Sequence, residues 1–94
     1  MSNQANIEAF EAQLKAAGCK QILDRVYGPN EFVGLHAHDF SARAIITEGE
    51  VVISCNEVAK LYQVGDIFEI AAGQAHTEQY GPHGATYRVG RMFA

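Results

Sequence analysis

Apolar positions near the start of the chain recur at helical spacing. Ile7, Phe10 and Leu14 stand at i, i+3 and i+7, with Glu8, Glu11, Gln13 and Lys15 on the other faces. Asn6 is placed to cap such a helix and Gly18 to stop it, so one short amphipathic helix is predicted over residues 7–17. Its apolar stripe implies docking over one end of the remaining fold rather than recruitment of a partner. After Gly18 the pattern changes to short apolar or alternating runs separated by Gly, Pro, Asn and Asp. These runs predict strands over 21–27, 31–38, 42–47, 51–55, 58–63, 67–70, 75–80 and 85–93, with turns at Glu48-Gly49, Asn56-Glu57, Ala72-Gly73 and Gly81-Pro82-His83-Gly84. Residues 51–63, centred on Asn56-Glu57, read as a β-hairpin. So many short strands must close on themselves to avoid long open edges. The prediction is an all-β jelly-roll barrel (residues 21–94) preceded by one N-terminal helix packed on it (residues 1–20), all in a single domain.

Size and charge narrow the possibilities. With 94 residues the chain buries a modest core and gains from a metal or a second subunit, so a homodimer is expected. The formal net charge of −4 and the scattered Lys and Arg residues argue against a nucleic-acid partner. No apolar run approaches the ~20 residues that span a bilayer. The first residues show no basic-then-apolar signal pattern, so a cytoplasmic protein is expected. Cys19 and Cys55 match no metal or redox motif and read as small buried hydrophobes, although spacing alone leaves a disulfide between them open.

Histidines carry the candidate chemistry. His36 and His38 form an H-x-H pair on a predicted strand, where i and i+2 project from one face. His76 follows the Ala72-Gly73 turn at the start of a later strand and can reach the same point. Neutral imidazoles converging in this way suit a divalent ion such as iron, zinc, nickel or manganese. Glu78 and Tyr80 share the parity of His76, and both are candidate catalytic residues. Glu78 can act as an acid or base, as a fourth ligand, or as a group that orients a histidine. His83 lies in a predicted turn and is expected outside the site. Arg43, Arg88 and Arg91 are expected to pair with surface carboxylates, the alternative being that one of them enters the cavity to hold an anionic ligand. Tyr27, Tyr62 and Tyr87 read as strand formers, and Phe32 and Phe68 as core or pocket lining.

These residues resemble the cupin superfamily. Its second motif, G-x5-P-x-G-x2-H-x3-N, is similar to Gly65, Ala71 in place of proline, Gly73, His76, and Tyr80 in place of asparagine. Its first, G-x5-H-x-H-x3,4-E-x6-G, is matched by His36, His38 and Gly49. The resemblance runs from Tyr27 to Met92 and implies a double-stranded β-helix with a metal on His36, His38 and His76. Counting back from Gly49, the family's glutamate ligand falls at Ala42, with Arg43 at the other permitted spacing. The resemblance therefore implies a three-histidine site with open positions for water, O₂ or a small-molecule substrate. Two functions fit. One is a metal-dependent enzyme, dioxygenase-like on iron, or an isomerase or lyase working through an enediolate on zinc, nickel or manganese. The other is a non-catalytic module that senses a metal or a small ligand.

Overall fold

The computed structural model describes residues 3–19 and 21–92. A helix, α1 (Asn3–Ala16), precedes six strands: β1 (Gln21–Tyr27), β2 (Phe32–His36), β3 (Ser41–Cys55), β4 (Val58–Gln63), β5 (Ile67–Ile70) and β6 (His76–Met92). Helix α1 starts one turn earlier than the apolar spacing predicts, so Asn6 lies inside it and is not its cap. No proline or glycine in the preceding residues interrupts it. The predicted stop holds. Gly18 has φ +84°, and the N–H groups of Cys19 and Gly18 donate to the carbonyls of Leu14 and Lys15, the paired bonds of a Schellman ending.

Strands β3 and β6 are long antiparallel partners that run together through most of their length. One half of the pair, around residues 42–46 and 85–91, carries β1 and β5 at its edges; the other half, around residues 50–55 and 76–80, carries β2 and β4. The ladder shifts register between Ile46 and Glu48 and again between Gly49 and Val51. Bulges of this kind bend a strand and increase its twist, folding one hydrogen-bonded sheet into two facing layers. Glycine is required at the bend. A Cβ on Gly49 (φ +70°) would stand 2.0 Å from the Gly84 carbonyl oxygen, and one on Gly84 (φ +69°) would stand 2.2 Å from that of Tyr27. The expected turns at Glu48-Gly49 and Gly81–Gly84 are therefore kinks within continuous strands, and four predicted strands merge into two. The end of the last predicted strand, at Phe93, lies outside the described residues. The β3–β4 hairpin turns through Asn56 (φ 49°) and Glu57 (φ 66°), the two positive values of a type I′ turn.

Alternation along the strands sorts the side chains. Ala42, Ala44, Ile46, Val51, Ile53, Phe68, Ile70, Tyr80, Tyr87 and Val89 fill the space between the layers. Ile45, with Ile22 and Met92, faces the other way, where Phe10 and Leu14 of α1 cover it together with Cys19. Burying those two helix side chains contributes about 1.5–3 kcal/mol each. Gly90 makes room for Leu14 and Cys19, since a Cβ there would meet Leu14 at 2.8 Å and Cys19 Sγ at 2.9 Å. Both cysteines are free, Cys19 buried and Cys55 half-buried. Among the described residues no helix is long and apolar enough to cross a membrane.

Candidate metal centre

A cavity of about 330 Å³ opens between the layers, and His36, His38 and His76 stand on one wall of it. His36 ends β2 and pairs directly with His76, which begins β6. His38 lies beyond the end of β2, so the H-x-H pair does not sit on one strand as the spacing suggested. Its backbone is held instead by the turn before His76, where the Gly73 N–H donates to the His38 carbonyl at 2.8 Å. Ring centroids lie 4.2 Å (His36–His76), 5.1 Å (His38–His76) and 5.2 Å (His36–His38) apart. One nitrogen from each ring falls within 4.8 Å of the others.

The hydrogen bonds define the available lone pairs. His36 Nδ1 is 2.6 Å from the Gly34 carbonyl and His76 Nδ1 is 3.0 Å from that of Gln74. A carbonyl only accepts, so each Nδ1 carries the proton in the neutral ring and each Nε2 keeps a free lone pair. His76 is fully buried, and its Nε2 makes no hydrogen bond; neither does the buried His38 Nδ1. A buried polar atom left unpaired costs about 1–3 kcal/mol. His38 is also pushed below the ordinary histidine pKa, first by burial and then by the charges of His76 and His36. The unpaired buried nitrogens of His38 and His76, with a ligand nitrogen of His36 within 4.8 Å, fit a divalent cation.

Glu78 lies beside the cluster. It is 5% exposed, with Oε2 3.1 Å from His36 Nε2 and 3.5 Å from His76 Nε2. Two donors sharing one metal at ~2.1 Å stand roughly 3–3.5 Å apart, a spacing that Glu78 meets toward His36 and His76, whereas the three ligand atoms that converge are those of His36, His38 and His76. Its other oxygen accepts a hydrogen bond from the Tyr80 hydroxyl. Burial, ahead of the neighbouring Tyr87 and Glu78, pushes the Tyr80 phenol far above its ordinary value, so it remains a donor. Tyr80 is buried behind Glu78, outside the cavity lining, and stacks on Tyr27 at 4.3 Å.

Other positions fall partly as expected. Ala42 lines the cavity, while Arg43 points to the outer face and pairs with Glu69 at 3.0 Å. Arg88 pairs with Asp24 at 2.8 Å and Glu11 at 3.2 Å. Arg91 breaks the pattern and lines the cavity. Phe68 is buried as expected, but Phe32 is 61% exposed. The cause is a bulge between Val33 and His36, which turns Val33 inward in its place. Tyr62 packs against Phe68, whereas Tyr27 and Tyr87 are cavity wall as well as strand formers. His83 is exposed on β6 rather than in a turn. Sequence reasoning missed Arg25 and Phe40 on the cavity wall. Arg25 shares the parity of Tyr27, and Phe40 continues the alternation of His36 and His38.

No family model matches the sequence, and no curated protein matches it significantly. Solved structures do match. An RmlC-like cupin from Shewanella frigidimarina is 22% identical, with a TM-score of 0.69 over 79% of this chain and 66% of its own. A predicted oxalate decarboxylase from Thermotoga maritima is 18% identical, with a TM-score of 0.68 over 87% and 73%. An oxalate decarboxylase from Bacillus subtilis, described with Mn(II) centres, is 19% identical with a TM-score of 0.69 over 77% of this chain; the chain spans only 20% of that enzyme. This is a small protein of cupin fold, a double-stranded β-helix with one short helix.

Proposed function

We propose that this protein holds one divalent metal ion on His36, His38 and His76, beside Glu78, and presents it to a small molecule entering the cavity. The observation that carries this reading is the fully buried His76 Nε2, which makes no hydrogen bond and faces the other two imidazoles. Iron, zinc, nickel and manganese all suit such donors. When bound, the ion would supply Lewis-acid or O₂ chemistry of a dioxygenase, isomerase or lyase type. The chain itself supplies the neutral ligands, the carboxylate held in place by Tyr80, and the apolar wall of Val33, Phe68, Ile70 and Val89. The manganese-containing decarboxylase of the same fold supports the choice of a divalent ion.

One observation favours the alternative of a non-catalytic binding module. Glu78, the carboxylate beside the histidines, is already engaged by the Tyr80 hydroxyl, which suits holding better than proton transfer. Identifying the ion in untagged protein and following O₂ uptake with a panel of small substrates separates the two. Substrate-dependent O₂ consumption on iron supports a dioxygenase, turnover without O₂ on another ion supports an isomerase or lyase, and a tightly held ion with no turnover supports the module. The reading extends to a cytoplasmic homodimer. The exposed Val26, Phe32 and Leu35 offer apolar surface to a second copy, and light scattering at micromolar concentration tests this against a monomer.

A further inference from the structure

Arg91 is a cation of the cavity. Arg43 and Arg88 lie on the outer face with carboxylates beside them. Arg91 alternates with Tyr87 and Val89 on the inward side of β6 and points into the cavity with them. Its guanidinium stands 4.8 Å from the centre of the Phe40 ring, and Phe40 stacks on His38 at 4.7 Å. Arg91 Nε is buried and makes no hydrogen bond. Among the described residues no carboxylate lies within ion-pair distance of it. Across β3 its direct partner is Ala42, whose side chain ends at one methyl group and leaves the space beside the guanidinium open.

We propose that this cavity binds a small monocarboxylate with an apolar body, its carboxylate paired with Arg91 beside the histidines and its body against Phe68, Ile70 and Val89. The proposal rests on the reading of the cavity as the ligand site next to the metal centre. A planar guanidinium matches a carboxylate with two parallel hydrogen bonds, and its place over the Phe40 ring adds a cation–π contact. Arg25 also lines the cavity and adds positive potential, although its guanidinium already donates to the Tyr27 hydroxyl at 3.1 Å. A volume of about 330 Å³ is at the small end for ligand pockets. Phosphate is the poorer match, because its second charge would face Glu78 and its body would leave the apolar wall bare.

The test is calorimetric titration of benzoate, benzamide and inorganic phosphate into untagged protein, with metal content measured on the same samples. Benzoate is expected to bind, with benzamide and phosphate weaker by about tenfold or more. Arg91→Gln is expected to weaken benzoate by about tenfold or more while metal content stays unchanged, and Arg88→Gln to leave benzoate binding as it was. Should Arg91→Gln fail to fold, Arg91→Lys keeps the charge but loses the fork, and benzoate is then expected to bind more weakly than to the wild type. Benzoate affinity unaltered in the folded Arg91 variant, equal binding of benzamide, or a preference for phosphate would overturn the proposal. The two readings fail separately. Protein that carries no metal and takes none up, yet still binds benzoate through Arg91, retains the anion site and removes the metal reading, while metal-loaded protein that ignores benzoate does the reverse.

Discussion

Glu78→Gln keeps the shape of the side chain at the centre of the site and removes its charge. The Tyr80 hydroxyl then donates to a neutral amide oxygen, and that bond weakens from about 1.5–3 to about 0.5–1.5 kcal/mol. The desolvation of a nearly buried carboxylate is relieved at the same time, so without metal the two effects largely offset one another. A bound cation changes this balance. Its loss of an anionic neighbour, at 3.1 Å from one imidazole and 3.5 Å from another, is expected to weaken metal binding roughly 10–100-fold. At saturating metal this is about 1.4–2.7 kcal/mol of native-state stabilisation. For a domain of this size each kcal/mol moves Tm by about 4–8 °C, so the variant is expected to melt roughly 6–20 °C below the wild type when metal is present. The assay is calorimetric unfolding of both proteins with metal and with chelator. A gap between them that is the same in both conditions would refute the reasoning, because Glu78 would then act through protein contacts alone.

Ala42→Glu places a carboxylate on the cavity wall and is expected to tighten divalent binding in competition with a chelator. Arg43→Glu, on the outer face beside Glu69, is expected to change metal affinity little, and the reverse result would put the register of β3 off by one. Gly84→Ala forces a Cβ against the Tyr27 carbonyl at a left-handed φ and is expected to lower stability by roughly 2 kcal/mol or more; a wild-type urea midpoint would contradict this. The hydrogen bond from Arg88, ahead of its charge and against the effect of burial, holds Asp24 below its ordinary carboxylate value. That contribution is present above the unfolded carboxylate pKa and is lost as pH falls through the lower folded one. Asp24→Asn should therefore cost less than about 1 kcal/mol at neutral pH, the pair being partly exposed, and nothing in strong acid, as urea unfolding across pH would show.

The histidine cluster was legible because its residue types are rare and their spacing couples two short segments. Ala42 and Arg43 fell on opposite faces, as strand parity requires, since no bulge separates them in the β3–β5 ladder. Parity failed at Phe32, where the extra residue before His36 leaves no mark in the sequence beyond Gly34. Strand ends failed at Gly49 and Gly84 for a related reason: a glycine that allows a chain reversal and one that allows two backbones to touch look the same in composition. Arg91 was unreadable alone, because a strand arginine faces solvent or cavity according to which layer covers it. That depends on α1 taking the opposite face of β6, over Gly90 and Met92.

The central claim is that His36, His38 and His76 form a metal site, and metal content tests it most directly. Untagged wild-type protein, analysed by mass spectrometry for iron, zinc, nickel and manganese, is predicted to carry about one equivalent of divalent ion per chain. His76→Ala is predicted to lose that ion while its circular dichroism stays that of a β-sheet protein. Wild-type protein that carries no metal and takes none up on dialysis against each ion, or a His76→Ala variant that keeps full occupancy, would contradict the account.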